Sequence, residues 1–133
     1  MIALDQMVAL GTGLSRPECV LCTSDGVLHV ADWRGGVTLI APDGSQRSVL
    51  AKGEFAPKPN GIAILPKGGW LLTHLGDADG GVYRLAPDGT LTPELLEVEG
   101  QPLPPTNYVH IDGQNRIWVT AVSYTHLTLP TKI

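Results

Sequence analysis

The chain has 133 residues, 43% of them hydrophobic and 17% charged, with a formal net charge of −4. Its nine basic residues are scattered singly, so no Lys/Arg patch is offered to nucleic acid or to an anionic membrane. No apolar run approaches a membrane span and no basic segment precedes one at the start, so we expect a cytoplasmic protein.

Residues 6–10 predict a short strand ahead of Gly11-Thr12-Gly13, one that belongs to no blade of its own. Residues 16–50 then read as four short apolar strands. They lie near 19–22, 27–31, 37–40 and 47–50, with hairpins at Asp32-Trp33-Arg34-Gly35-Gly36 and Pro42-Asp43-Gly44. Cys19 and Cys22 form a C-x-x-C. Residues three apart on a strand point to opposite faces, and no second ligand pair is present for zinc. Both are read as small buried apolar side chains.

Residues 58–96 repeat the phrase, with strands at 62–65, 70–74 and 82–86 and a looser fourth at 90–96. The hairpin at 75–81 carries Asp77-Ala78-Asp79-Gly80, like the opening of a calcium loop. No Glu follows at the closing position, so a solvated turn is expected. Residues 100–105, rich in proline, form a crossover. The phrase starts a third time at 105 and runs to 121, matching the first two strands. A four-strand unit recurring about every forty residues is the mark of a β-propeller blade. The expected fold is therefore all-β: about two and a half blades of a presumed six-bladed propeller, within residues 1–121. Residues 122–133 break the phrase. With suitable codons, 122–131 back-translates to a transposase adapter of sequencing libraries, so we expect a non-native tail on a fragment of a longer protein.

Glu18, Asn60 and Asn107 fall in register, spaced by 42 and 47 residues. In a propeller the first strand of each blade lines the central channel, and the residue before it sits at the channel mouth. An acid and two amides there suit a hard divalent cation: Ca²⁺ first, with Zn²⁺, Mn²⁺ or Mg²⁺ as alternatives. Asn60-Gly61 also reads as a common turn dipeptide. His29, His74 and His110 are read as structural, His110 facing away from the Asn107 side of its strand.

Arg16-Pro17-Glu18, Asp32-Trp33-Arg34-Gly35-Gly36-Val37, Pro59-Asn60-Gly61-Ile62-Ala63 and Thr106-Asn107 with Asp112-Gly113 and Trp118-Val119 resemble the senescence-marker-protein/gluconolactonase family. The resemblance covers residues 16–120. It implies a six-bladed propeller that hydrolyses lactones or esters through one divalent cation at the channel mouth. Glu18 matches the family's blade-one metal ligand, and Asn107 an Asn that binds metal or touches substrate. Asn60 stands as a second substrate contact. The family's remaining ligands and its general base have no counterpart in this chain, so no catalytic residue is assigned and the chain by itself is expected to be inactive. Pro105 occupies a position where lactonase members often carry Arg. Two other classes fit the same blades: a non-enzymatic NHL-like binding platform, and a propeller lyase of the streptogramin-lyase kind, which would need a His at the mouth.

Overall fold

The computed structural model describes residues 1–121, so the expectation about residues 122–133 lies outside the described residues. Blade 1 is an antiparallel sheet in the order β1 (Val20–Cys22), β2 (Leu28–Asp32), β3 (Gly36–Ile40), β4 (Gln46–Leu50). Blade 2 repeats it with β5 (Ile62–Ile64), β6 (Trp70–Thr73), β7 (Val82–Leu85) and β8 (Leu91–Leu95). After a small ribbon of β9 (Glu97–Val98) and β10 (Gln101–Pro102), β11 (Thr106–Ile111) and β12 (Ile117–Ala121) pair as the opening hairpin of blade 3. Four strands meandering in chain order are the architecture of a β-propeller blade. No described helix is long and apolar enough to cross a membrane.

The turns follow their chemistry. Asp43 and Asp88 each accept the N–H two residues on at 2.9 Å, and Gly44 and Gly89 supply the positive φ of 87° and 93° that closes the hairpin. Asp112 does the same for Gln114 at 2.8 Å.

Blades are held face to face by apolar side chains. Cys19, Ala31, Val37, Leu39 and Val49 of blade 1 pack with Ile62, Trp70, Leu72 and Leu85 of blade 2. Ala63, Leu71 and Val82 of blade 2 pack with Val109 of blade 3. Blade 2 is thus covered on both faces, which is why β6 is buried along its whole length. Across the first joint, the Trp70 indole N–H donates to His29 Nδ1 at 2.9 Å.

Two expectations need correction. No strand forms at residues 6–10: Leu4–Gln6 is a 3-10 turn, and Met7, Val8 and Leu10 are exposed. A strand needs a ladder partner. The tie comes later, where the Gln46 side-chain amide accepts the Thr12 N–H at 3.1 Å and donates to the Thr12 carbonyl at 2.7 Å. The crossover at 100–105 is in part the β9–β10 ribbon, whose turn residues Glu99 and Gly100 have φ of +50° and +78°. Two successive left-handed residues match the hand of a two-residue hairpin.

Candidate functional site

The three first strands enter their sheets at equivalent points. Val20 pairs with Val30 and Ile62 with Leu72, and one step outward the Ala31 and Thr73 N–H groups donate to the Cys19 and Gly61 carbonyls at 2.9 and 3.0 Å. Tyr108, paired with Thr120, holds the same place in blade 3. Glu18, Asn60 and Asn107 each stand one residue before that point, as their spacing predicted. The ladder of blade 3 shifts register between Thr106 and Tyr108, so Asn107 sits in an irregularity that re-aims its side chain.

Asn60 and Asn107 meet. Asn60 Nδ2 donates to Asn107 Oδ1 at 2.8 Å and lies 3.3 Å from the Asn107 backbone carbonyl. A carbonyl only accepts, so the Asn60 atom facing it must be the NH₂ group, and the Asn107 atom beside it must be the oxygen. Thr73 Oγ1 accepts the Gly61 N–H at 2.9 Å and stands 3.2 Å from the same Asn107 carbonyl. Asn60 Oδ1 is sealed from solvent and has no partner among the described residues.

The next residues interlock as well. A Cβ on Gly61 would lie 2.8 Å from Tyr108 Cα and 2.9 Å from its ring Cδ2. Gly61 is not among the positive-φ glycines, so this glycine serves close approach of the neighbouring strand rather than a turn. Past it, the Tyr108 hydroxyl lies 3.5 Å from the Cys19 Sγ. That contact, and then burial, pushes the phenol pKa up. Cys19, Gly61 and Tyr108, equivalent in the repeat, form one stitch across three inner strands. Cys19 is buried as expected. Cys22 is exposed, because at the end of β1 its side chain faces away from blade 2.

Glu18 is exposed and ion-paired with Arg16, whose Nε lies 2.9 Å from Oε1. Arg16 has a φ of +46° and lays its guanidinium 4.0 Å from the Trp33 ring centre. Arg16, Trp33, Leu75, Gly76 and Asp77 line a cavity of about 320 Å³ between the second hairpins of blades 1 and 2. Blade geometry puts these hairpins at the same end as the first-strand entrances.

Other polar groups nearby are spent inside the fold. Asp32, fully buried, accepts from Arg34 Nη2 at 2.7 Å and Thr38 Oγ1 at 2.8 Å. Burial pushes its carboxyl pKa up, but Arg34 and Thr38 outweigh that and hold it below its ordinary value. His74 is buried, with Nδ1 accepting the Lys58 N–H at 3.0 Å and Nε2 3.1 Å from Asp79. Asp77, Ala78 and Asp79 are exposed at the tip of the 75–81 loop, whereas Gly76 and Gly81 at its base are buried. His110 is exposed on β11.

Glu18, paired with Arg16, and Asn107, paired with Asn60, are donors of the kind a hard cation takes, one carboxylate and one amide oxygen. They fall short in number. Among the described residues no three His, Cys, Asp or Glu side chains gather to hold a metal. The sequence missed the Tyr108–Gly61–Cys19 stitch, although the register that aligned Glu18, Asn60 and Asn107 aligns these three as well.

No family model and no curated protein matches the chain. Solved structures do. A catalytically inactive variant of virginiamycin B lyase from Staphylococcus aureus, solved with quinupristin, aligns at TM-score 0.63 and 18% identity, over 90% of this chain and 40% of that one. A candidate gluconolactonase aligns at TM-score 0.55 and 27% identity, over 84% of this chain and 43% of that one. The chain therefore spans about two fifths of the length of these propeller proteins.

Proposed function

We propose that the chain is part of a propeller enzyme acting on a small molecule at the channel mouth, by gluconolactonase-like hydrolysis of a lactone or ester. The observation that carries this reading is the meeting of successive entrances: Asn60 and Asn107, 47 residues apart, touch at 2.8 Å. The gluconolactonase-like neighbour at 27% identity adds to it. A divalent cation, Ca²⁺ first and Zn²⁺, Mn²⁺ or Mg²⁺ otherwise, would draw on Glu18 and Asn107. When bound, it supplies Lewis acidity toward an ester carbonyl. Glu18 brings the negative charge, and Arg16 holds that carboxylate until a cation competes for it. Asn107, with Asn60 behind it, lines the place where substrate would rest. The general base of such a reaction is not among the described residues.

A propeller lyase is the competing reading. It rests on the blades alone, a fold shared with the solved virginiamycin B lyase, because His110 pairs with Trp118 beside the far turn of β11 and not at the entrance where Asn107 stands. One titration separates the two. In calorimetry of the whole propeller with Ca²⁺, Glu18→Gln should weaken binding at least tenfold, since hard-cation affinity follows ligand charge. Unchanged affinity, combined with loss of turnover when a His at the mouth of the whole propeller is replaced by Ala, would move the assignment to the lyase. Unchanged behaviour in both would leave a binding platform.

A further inference from the structure

We infer that Asn60 is a positioning residue, acting on Asn107 rather than on the ligand. The inference rests on the reading that Asn107 faces the mouth. Asn60 is nine-tenths buried, at 9% relative exposure. Its two donor hydrogens face the backbone carbonyl and the side-chain oxygen of Asn107, at 3.3 and 2.8 Å. Its own oxygen is sealed in without a partner among the described residues. Neither end of the Asn60 amide is therefore presented to a ligand.

What Asn60 does present is a fixed Asn107. A side-chain amide on a strand irregularity has two nearly equivalent orientations that exchange oxygen for NH₂. Asn60 can donate but not accept at this point, so it selects the one with oxygen inward. Asn107 then turns its NH₂ group away from Asn60. One lone pair of Asn107 Oδ1 stays available beside the Asn60 bond. The joint is further pinned by Thr73, whose hydroxyl reaches the same Asn107 carbonyl at 3.2 Å. An amide oxygen sealed without a partner is normally selected against. In exchange the amide offers its hydrogens to both Asn107 acceptors.

The polarity of the pair gives an asymmetric test that needs no ligand. Asn107→Asp leaves an acceptor opposite Asn60, so its melting temperature should stay within a few degrees of wild type. Asn60→Asp sets a carboxylate against two oxygens and should melt clearly lower. Its loss should shrink as pH falls and the introduced carboxyl regains a proton to donate. In the wild-type chain, the side-chain NH₂ protons of Asn60 should exchange with solvent more slowly than those of Asn107, a measurement that stands if a variant fails to fold. In Asn60→Ala, the Asn107 side-chain amide signals should move toward those of a free amide while its backbone signal persists. Equal melting losses in the two Asp variants, or faster exchange at Asn60, would overturn the assignment. The calcium titration of Glu18→Gln fails or succeeds independently of these results.

Discussion

Gly61→Ala sets two opposing effects against each other, and the geometry of the joint decides the sign. Where φ suits any residue, exchanging Gly for Ala restricts the unfolded chain and stabilises by about 0.4–1 kcal/mol. Gly61 has no positive φ to forbid the change, so conformation alone favours alanine. Space does not. The new methyl would sit 2.8 Å from Tyr108 Cα, 2.9 Å from Tyr108 Cδ2 and 3.1 Å from the Asn107 carbonyl oxygen. A ring tip can swing aside, but a backbone carbon and a carbonyl move only with their strand. Overpacking of this kind costs about 1–3 kcal/mol. The expected balance is a net loss of roughly 1–2 kcal/mol, or about 3–12 °C in melting temperature at this chain length. Thermal unfolding followed by circular dichroism measures it. Adding Tyr108→Ala to Gly61→Ala should recover part of the loss by removing the ring, and not all of it, because the clash with the backbone of residue 108 persists. A Gly61→Ala chain as stable as wild type, or more so, would refute the close-approach account.

The remaining predictions concern ionisable groups. Burial lowers the His29 pKa, with Asp25 opposing and Arg47 assisting. His29 is therefore neutral in the fold, and its stability contribution is complete above the ordinary histidine value of about 6.5 and is lost as pH falls through the lowered value. Melting temperature should drop between neutral and mildly acid pH as Nδ1 stops accepting the Trp70 N–H, and a His29→Gln chain that kept the whole drop would clear His29 of it. Asp32 has the opposite charge and the same direction of loss: its lowered pKa means stability present above the ordinary carboxyl value and lost as pH falls through the folded one. Asp32→Ala strips Arg34 and Thr38 of their acceptor and should cost about 2–4 kcal/mol in urea unfolding, discounted because the Arg34 side chain is partly exposed and can turn to water. Exposed Cys22 should react with a thiol reagent in the folded chain while buried Cys19 reacts on unfolding; equal rates would mean the blade 1–blade 2 joint is open.

Blade architecture was legible because it is local and repeated. Pro-Asp-Gly turns fix hairpins from their own chemistry, and apolar runs of four or five residues leave little choice of partner once the turns are set. The same repeat placed Glu18, Asn60 and Asn107 at equivalent points without any knowledge of contacts. What the sequence hid lies between blades. Tyr108 reads as a strand aromatic until Gly61 is seen beneath it, and Asn60 reads as a ligand until its donors are seen turned on Asn107. The strand expected at residues 6–10 failed for the same reason. An apolar run marks a segment able to pair, whereas pairing depends on a partner that no local pattern specifies. Between neighbouring blades each position has one equivalent on either side, so a residue's role depends on what its counterpart is. Gly61 matters because 108 is Tyr and 19 is Cys, and Asn60 because 107 is an amide. A site built from such a ring is therefore a property of successive residues at one position. Exchanging any of them changes the geometry its neighbours present before it changes any contact with a ligand.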